Sequence, residues 1–190
     1  MPQSALIMEV PWAEPVVGPW RRAHDAISHR GVPAHITILY PFRAPDVLDD
    51  TVNATLASLA ASVPAWDLSL VEVDAFPDAV WLRPEPDDHL HALADSVWAA
   101  FPDCPPHGGQ FPALRPHVTV GQDPDPERID LLRRRAAEDS RPCSPSRVGS
   151  TACPCSSAAR RGSGPDAPCS RLHPEREVSV SGPGSRRSRR

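Results

Sequence analysis

The sequence predicts an α+β fold built from two similar, pseudo-symmetric lobes, and three observations lead there. Short β-rich runs alternate with stretches of helical periodicity, with one adjacent pair of strands in the middle of the chain. The tripeptides His35-Ile36-Thr37 and His117-Val118-Thr119 lie 82 residues apart, each inside a similar strand context, which reads as an internal duplication. All ten aromatic residues precede position 140, so the apolar core belongs to the first part of the chain.

The elements follow in order. Ser4 to Val10 alternates, with Leu6, Met8 and Val10 on one face, and Pro11 closes it as a strand. Glu14 to His24 has helical character, against which Gly18 and Pro19 count. The first His-x-Thr strand, Ala34 to Tyr40, follows Gly31 to Pro33; Pro41, Arg43 and Pro45 then mark a loop. From Asp46 to Ser62, Leu48, Val52, Leu56 and Leu59 recur at helical spacing and need a sheet to cover them. Two strands come next, about Ala65 to Ala75 and Ala79 to Leu82, turned by Phe76-Pro77-Asp78. Pro86 opens a helix with Asp87 and Asp88 in its first turn and Leu90, Leu93, Val97 and Trp98 as its core face. The second His-x-Thr strand, Pro116 to Val120, precedes a helix from Asp125-Pro126 with Ile129, Leu132 and Ala136 inward.

Composition divides the chain into a folded domain at 1–140 and a tail at 141–190. In the tail Ser, Pro and Gly fill 23 of 50 positions and Arg ten more, too little apolar surface to offset the entropy of ordering, so it reads as disordered. Charge breaks at the same place: 10 basic and 21 acidic residues give the first 140 a net −11, and 10 against 3 give the tail +7. An acidic body makes few of the phosphate contacts on which non-specific duplex binding depends, which favours a small nucleotide or an RNA end over an extended duplex. Every basic residue is Arg. A shifted reading frame in a gene rich in G and C would also produce such a tail, and translating the coding DNA in its other frames tests this. Four of the five Cys, at 143, 153, 155 and 169, fall in the tail without a Cys-x-x-Cys pair, so neither zinc nor a disulfide framework is expected. No apolar run has the length of a membrane span and the N-terminus lacks the pattern of a secretory signal, so a cytoplasmic location is expected.

In a strand, residues two apart share a face, so each His-x-Thr offers an imidazole beside a hydroxyl while Ile36 or Val118 points the other way. With eight His and five Thr, chance would give roughly 0.2 such matches; the chain has two. If the two strands meet across a cleft, they supply a general base, a general acid and two hydrogen-bond donors, which is what metal-free phosphodiester chemistry needs.

At these residues the chain resembles the 2H phosphoesterases, and within them the bacterial 2′-5′ RNA ligase-like group. The resemblance rests on Gly31-Val32-Pro33-Ala34-His35-Ile36-Thr37-Ile38-Leu39-Tyr40-Pro41-Phe42, on Pro105-Pro106-His107-Gly108-Gly109-Gln110-Phe111, and on Pro116-His117-Val118-Thr119-Val120. Phe76-Pro77 and Val80 to Pro86 add to it, and it spans about residues 4 to 138. It implies antiparallel sheets lining a central cleft with one motif from each lobe, further strands after the helix near 126–138, and no cofactor or metal. It implies a phosphoesterase acting on 2′,3′-cyclic phosphate or 2′-5′ linked RNA or nucleotides, with His35 as acid and His117 as base in hydrolysis and Thr37 and Thr119 as donors to the phosphate.

Tyr40 and Arg115 flank the motifs as candidate substrate contacts, by stacking on a base and by a charge-assisted bond to phosphate; packing or a surface ion pair is the alternative for each. His89 and His91, two apart on a helix, do not share a face and are a poor metal site beside Asp87 and Asp88. His107 lies in the Gly108-Gly109 loop, where exposure is the expectation and an approach to the cleft the alternative. The competing function is a module that binds nucleotides or RNA ends in the same cleft without turning them over.

Overall fold

A computed structural model describes residues 3–110, 114–139, 143–148 and 172–174. Its elements are β1 (Ser4–Glu9), α1 (Glu14–His24), β2 (His35–Phe42), α2 (Asp50–Ser62), β3 (Trp66–Phe76), β4 (Ala79–Glu85), α3 (Asp88–Ala100), β5 (Val118–Gln122), α4 (Pro126–Asp139), β6 (Cys143–Val148) and β7 (Leu172–Pro174). The strands form an antiparallel sheet in the order β6-β3-β4-β5-β2-β1-β7.

The duplication is visible in the wiring. A strand, a helix and a motif strand recur as β1-α1-β2 and as β4-α3-β5, and in each unit the first strand pairs with the motif strand. The helices cross over: α1 packs against β5 and α3 against β2. The two halves of the sheet meet at the register pair Ile36↔Val118, the central residues of the two tripeptides.

Register also explains why one sheet face is core. Val73↔Leu82, Leu82↔Val118, Val118↔Ile36 and Ile36↔Met8 run as one apolar row across five strands. Leu82, Val118, Ile36 and Met8 are buried, and the row packs with Leu90, Leu93 and Val97 of α3 and Ile129, Leu132 and Ala136 of α4 into one cluster. The neighbouring row carries Asp74↔Trp81, Trp81↔Thr119 and His35↔Glu9 on the opposite face.

Most boundaries follow the sequence pattern, and the departures have local causes. α1 runs through Gly18 and Pro19 because Val17 and Arg21 bury its inner face. β2 extends over Pro41 to Phe42, where a register irregularity against β1 leaves room for a residue without an N–H. α2 begins at Asp50 rather than Asp46: Pro45–Val47 forms a 3₁₀ turn, and Asp49 caps the helix by accepting a hydrogen bond from Val52 N at 2.8 Å. Of its stripe Val52 and Leu56 are buried, while Leu48 and Leu59 pack at the edge. α3 begins at Asp88, not Pro86, since β4 continues to Glu85. Trp98, expected in the core, is 40% exposed.

Composition ends the body at 140, yet β6 follows α4 and pairs with β3, with Val148 buried, and β7 pairs with β1. A count over fifty residues is blind to a six-residue edge strand whose hydrogen bonds come from a partner elsewhere. The other positions of the expected disordered tail lie outside the described residues.

Gly121 on β5 marks where α1 and α4 converge. A Cβ there would lie 2.6 Å from His24 Cβ and 2.9 Å from Leu132 Cδ2. Gly121→Ala is therefore expected to push the helices off β5 and cost about 1–3 kcal/mol of stability, read as a lower urea midpoint with an unchanged slope.

Candidate active site

The antiparallel pair Ile36↔Val118 fixes what the tripeptides can do together. Directly opposed residues lie on the same side of a sheet, so Ile36 and Val118 enter the core together, and His35, Thr37, His117 and Thr119 all fall on the other face. Each histidine is diagonal to the other across the pair, a position that separates residues by about 7–8 Å and their Cβ atoms by somewhat less. The four side chains sit around a local dyad, each residue half-buried.

Both rings are held in the same way. His35 Nδ1 lies 2.8 Å from Pro33 O, and His117 Nδ1 lies 2.7 Å from Arg115 O. A carbonyl can only accept, so Nδ1 carries the hydrogen in each and the Nε2 lone pair is left open. Burial lowers both imidazoles below the usual histidine value, and the carbonyl bonds partly oppose it. At His35, Arg21 lowers further, Asp25 raises and His117 lowers; at His117, His107 and Arg115 lower. The influence of His117 on His35 agrees with two rings close together on one face.

The surroundings of the two rings differ. His117 meets Phe76 edge-on at 5.2 Å and Trp81 at 5.9 Å between centroids, with Phe76 stacked on Trp81 at 5.1 Å. Trp81 is there because β4 pairs it with Thr119. Arg115 lies over Trp81 at 4.9 Å and over Phe76 at 5.5 Å, and its Nη2 is 3.4 Å from Asp74 Oδ2. The guanidinium is 63% exposed, so the aromatics orient a cation that still faces solvent beside His117. Arg115 therefore makes the surface ion pair of the one reading, and its place beside His117 leaves the phosphate-binding reading open to test. Tyr40 is half-buried further along β2, without a hydrogen bond or ring contact to the motif residues.

The sequence reading missed Phe76 and Trp81 as neighbours of His117, although both lie in stretches that carried the resemblance. For His107 the loop position favours exposure over an approach to the cleft, and the structure has it half-buried. The turn Pro106–Gly109 packs against β2 and holds His107 half-buried with φ 50°, in the left-handed region that favours Gly, and burial lowers its imidazole. Its charge is felt at His117. His89 lies against Trp66 instead, with the rings tilted by 49° and 4.9 Å between centroids, and His91 pairs with Asp87 at 3.4 Å. Among the described residues no group of three His, Cys, Asp or Glu is arranged to hold a metal ion, and no helix is long and apolar enough to cross a membrane.

With this geometry in place, comparison with known proteins is direct. The family model of the 2′-5′ RNA ligase superfamily matches residues 8–150. The chain belongs to the 2′-5′ RNA ligase superfamily. The 2H phosphoesterase resemblance read from the two tripeptides is thereby borne out. Similar to it are three bacterial proteins that carry the word phosphoesterase in their names. One from Geobacillus kaustophilus (strain HTA426) is 27% identical over 130 residues, 63% of this chain and 69% of the relative. One from Bacillus pumilus (strain SAFR-032) is 26% identical over 121 residues, 62% and 68% of the two chains. One from Geobacillus thermodenitrificans (strain NG80-2) is 29% identical over 121 residues, 59% and 64%. In this chain the motif strands are adjacent inner strands of the sheet, joined at the middle of both motifs.

Proposed function

We propose that the protein is a metal-independent phosphoesterase that opens 2′,3′-cyclic phosphates or 2′-5′ linkages on small nucleotides or RNA ends. One observation carries this reading: two imidazoles with the same tautomer, related by the Ile36↔Val118 dyad, open their Nε2 atoms on one sheet face beside two threonines. A phosphate between them has a proton acceptor on one side and a proton donor on the other. The neutral histidine takes the proton of the attacking water or ribose hydroxyl at Nε2 as the new P–O bond forms. The protonated one gives its Nε2 hydrogen to the oxygen that leaves as the old P–O bond breaks. His117 serves as base and His35 as acid in hydrolysis, and the roles exchange in the reverse direction. Thr37 and Thr119 donate to the non-bridging oxygens as charge builds there. Arg115, positioned on its aromatic pair, exchanges Asp74 for the substrate phosphate.

The test is a panel of 2′,3′-cyclic nucleotides and 2′-5′ dinucleotides offered to the full chain with a chelator present. Turnover that persists with the chelator is expected. Tight binding without conversion would instead establish a binding module, and activity lost with the chelator would remove the metal-free scheme.

The same assay run across pH gives a second prediction. The base must be neutral, which requires pH above its pKa; the acid must be protonated, which requires pH below its pKa. Both are lowered by burial, so the free enzyme holds the working protonation state best on the acid side of 6.5. A bell-shaped kcat/KM with its maximum below pH 6.5 is expected, its limbs belonging to the pair rather than to either ring. A bound phosphate anion favours both imidazolium forms, so the kcat maximum should lie at higher pH than that of kcat/KM. A kcat/KM that keeps rising past pH 8 would contradict the paired-imidazole scheme.

A further inference from the structure

We propose that Arg21, with Glu14 and Asp25, is a positioning cluster for His35: it clamps the Val32–Ala34 segment whose Pro33 carbonyl fixes the ring. The proposal rests on the reading that His35 acts on the phosphate.

Arg21 is 1% exposed and Asp25 3%, so a guanidinium and a carboxylate lie in the interior at the C-terminal end of α1. The donors of Arg21 go three ways. Nε donates to Asp25 Oδ2 at 3.0 Å, Nη2 to the carbonyl of Val32 at 3.0 Å, and Nη1 to Glu14 Oε1 at 3.4 Å. The same Glu14 oxygen accepts from Ala34 N, and Ala34 O accepts from Val10 N at 2.8 Å. The other oxygen of Asp25 accepts from Ile27 N at 3.0 Å, which anchors the carboxylate in turn. Val32 and Ala34, on either side of Pro33, are thus both tied down, and the Pro33 carbonyl is left to receive His35 Nδ1.

A buried ion pair adds little net stability compared with apolar packing; what it supplies is fixed geometry. Here the fixed geometry ends one bond from the reactive ring. His117 takes its equivalent bond from Arg115, whose side chain is 63% exposed. The cluster therefore serves one histidine only. Other groups that face His35 are Glu9, its register partner on β1, and His117, which lowers its imidazole.

Two substitutions at Glu14 separate positioning from mere structure, because that side chain is 38% exposed and can be cut without opening the core. Glu14→Ala frees Ala34 N; Glu14→Gln keeps an oxygen acceptor for it. In the full chain, ¹⁵N NMR of the imidazoles is expected to show loss of the fixed Nδ1–H tautomer and a changed titration at His35 in Glu14→Ala, with His117 unmoved. Glu14→Gln should restore both. kcat should fall on the order of 10- to 100-fold in Glu14→Ala with KM nearly unchanged, and Glu14→Gln should recover most of the loss. Arg21→Lys, whose ammonium lacks the planar fork, should reproduce the Glu14→Ala signature; if that variant fails to fold, the Glu14 pair still decides. An unchanged His35 tautomer in Glu14→Ala, or equal changes at both histidines, would overturn the proposal. The NMR arm does not depend on turnover, so a protein inactive on every phosphodiester with His35 still responding would refute the catalytic reading while leaving the clamp in place.

Discussion

Replacing His117 by Ala is expected to lower kcat on a 2′,3′-cyclic nucleotide by about 10²- to 10⁴-fold, and His35→Ala by the same order, with KM changing far less. In the proposed mechanism each ring supplies one proton transfer in the transition state, and the one that remains cannot be base and acid in the same step. The double variant should therefore be hardly slower than either single one, because the second removal acts on a pathway already closed. Leaving-group chemistry distinguishes the two. A nitrophenyl phosphodiester expels an anion that departs without a proton, so it should be turned over far better by His35→Ala than by His117→Ala if His35 is the acid. The reverse pattern would exchange the roles, and full activity on the cyclic nucleotide in both single variants would end the paired-histidine mechanism. Both rings lie on the site face with their Nδ1 atoms committed to backbone carbonyls, so their loss should leave the core row of Ile36 and Val118 intact. Thermal midpoints near wild type are the accompanying control.

The repeat was legible because a strand has period two. His-x-Thr within an alternating run already says that the imidazole and hydroxyl share a face and that Ile36 or Val118 faces the core, and each tripeptide stands so in the fold. What no run of residues could state is the pairing of strands 82 positions apart, since register between distant strands depends on everything that packs around them. Resemblance to a family bridged that gap. Trp81 and Phe76 escaped for the same reason: they reach His117 through the β4–β5 register, not through nearness in sequence. The buried cluster was closer to hand. Glu14, Arg21 and Asp25 at spacings of seven and four share one helix face, and a face that also carries Val17 has to bury its charges in pairs. β6 could not be read from composition, because an edge strand borrows its hydrogen bonds from a partner and needs little apolar content of its own; a strand after α4 is what the family resemblance implied.

Removing the Thr37 hydroxyl while keeping its shape, as Thr37→Val, is expected to lower kcat by about 10²- to 10³-fold, the usual cost of losing one donor to charge that develops in the transition state. Position in the sheet gives this its force. Thr37 lies opposite Ile7 on β1 and beside His35, and Thr119 lies opposite Trp81 on β4 and beside His117. Each hydroxyl therefore has an apolar cross-strand neighbour, Ile7 and Trp81 being 1% exposed apiece, so little water is available to replace a lost donor. Val at either position suits a strand, and the fold should be kept. Because the dyad makes the two hydroxyls equivalent by position, Thr119→Val should cost a similar factor, and the two losses should combine on a phosphate held between them. Binding of inorganic phosphate in the ground state should weaken less than kcat falls, since the non-bridging oxygens of a phosphodiester, which already share one negative charge, take on more of it as the attacking oxygen adds to phosphorus. Equal losses in phosphate affinity and in kcat/KM, with kcat unchanged, would mean that the threonines only hold the substrate and that the donors to the developing charge lie elsewhere, with Arg115 the first residue to substitute.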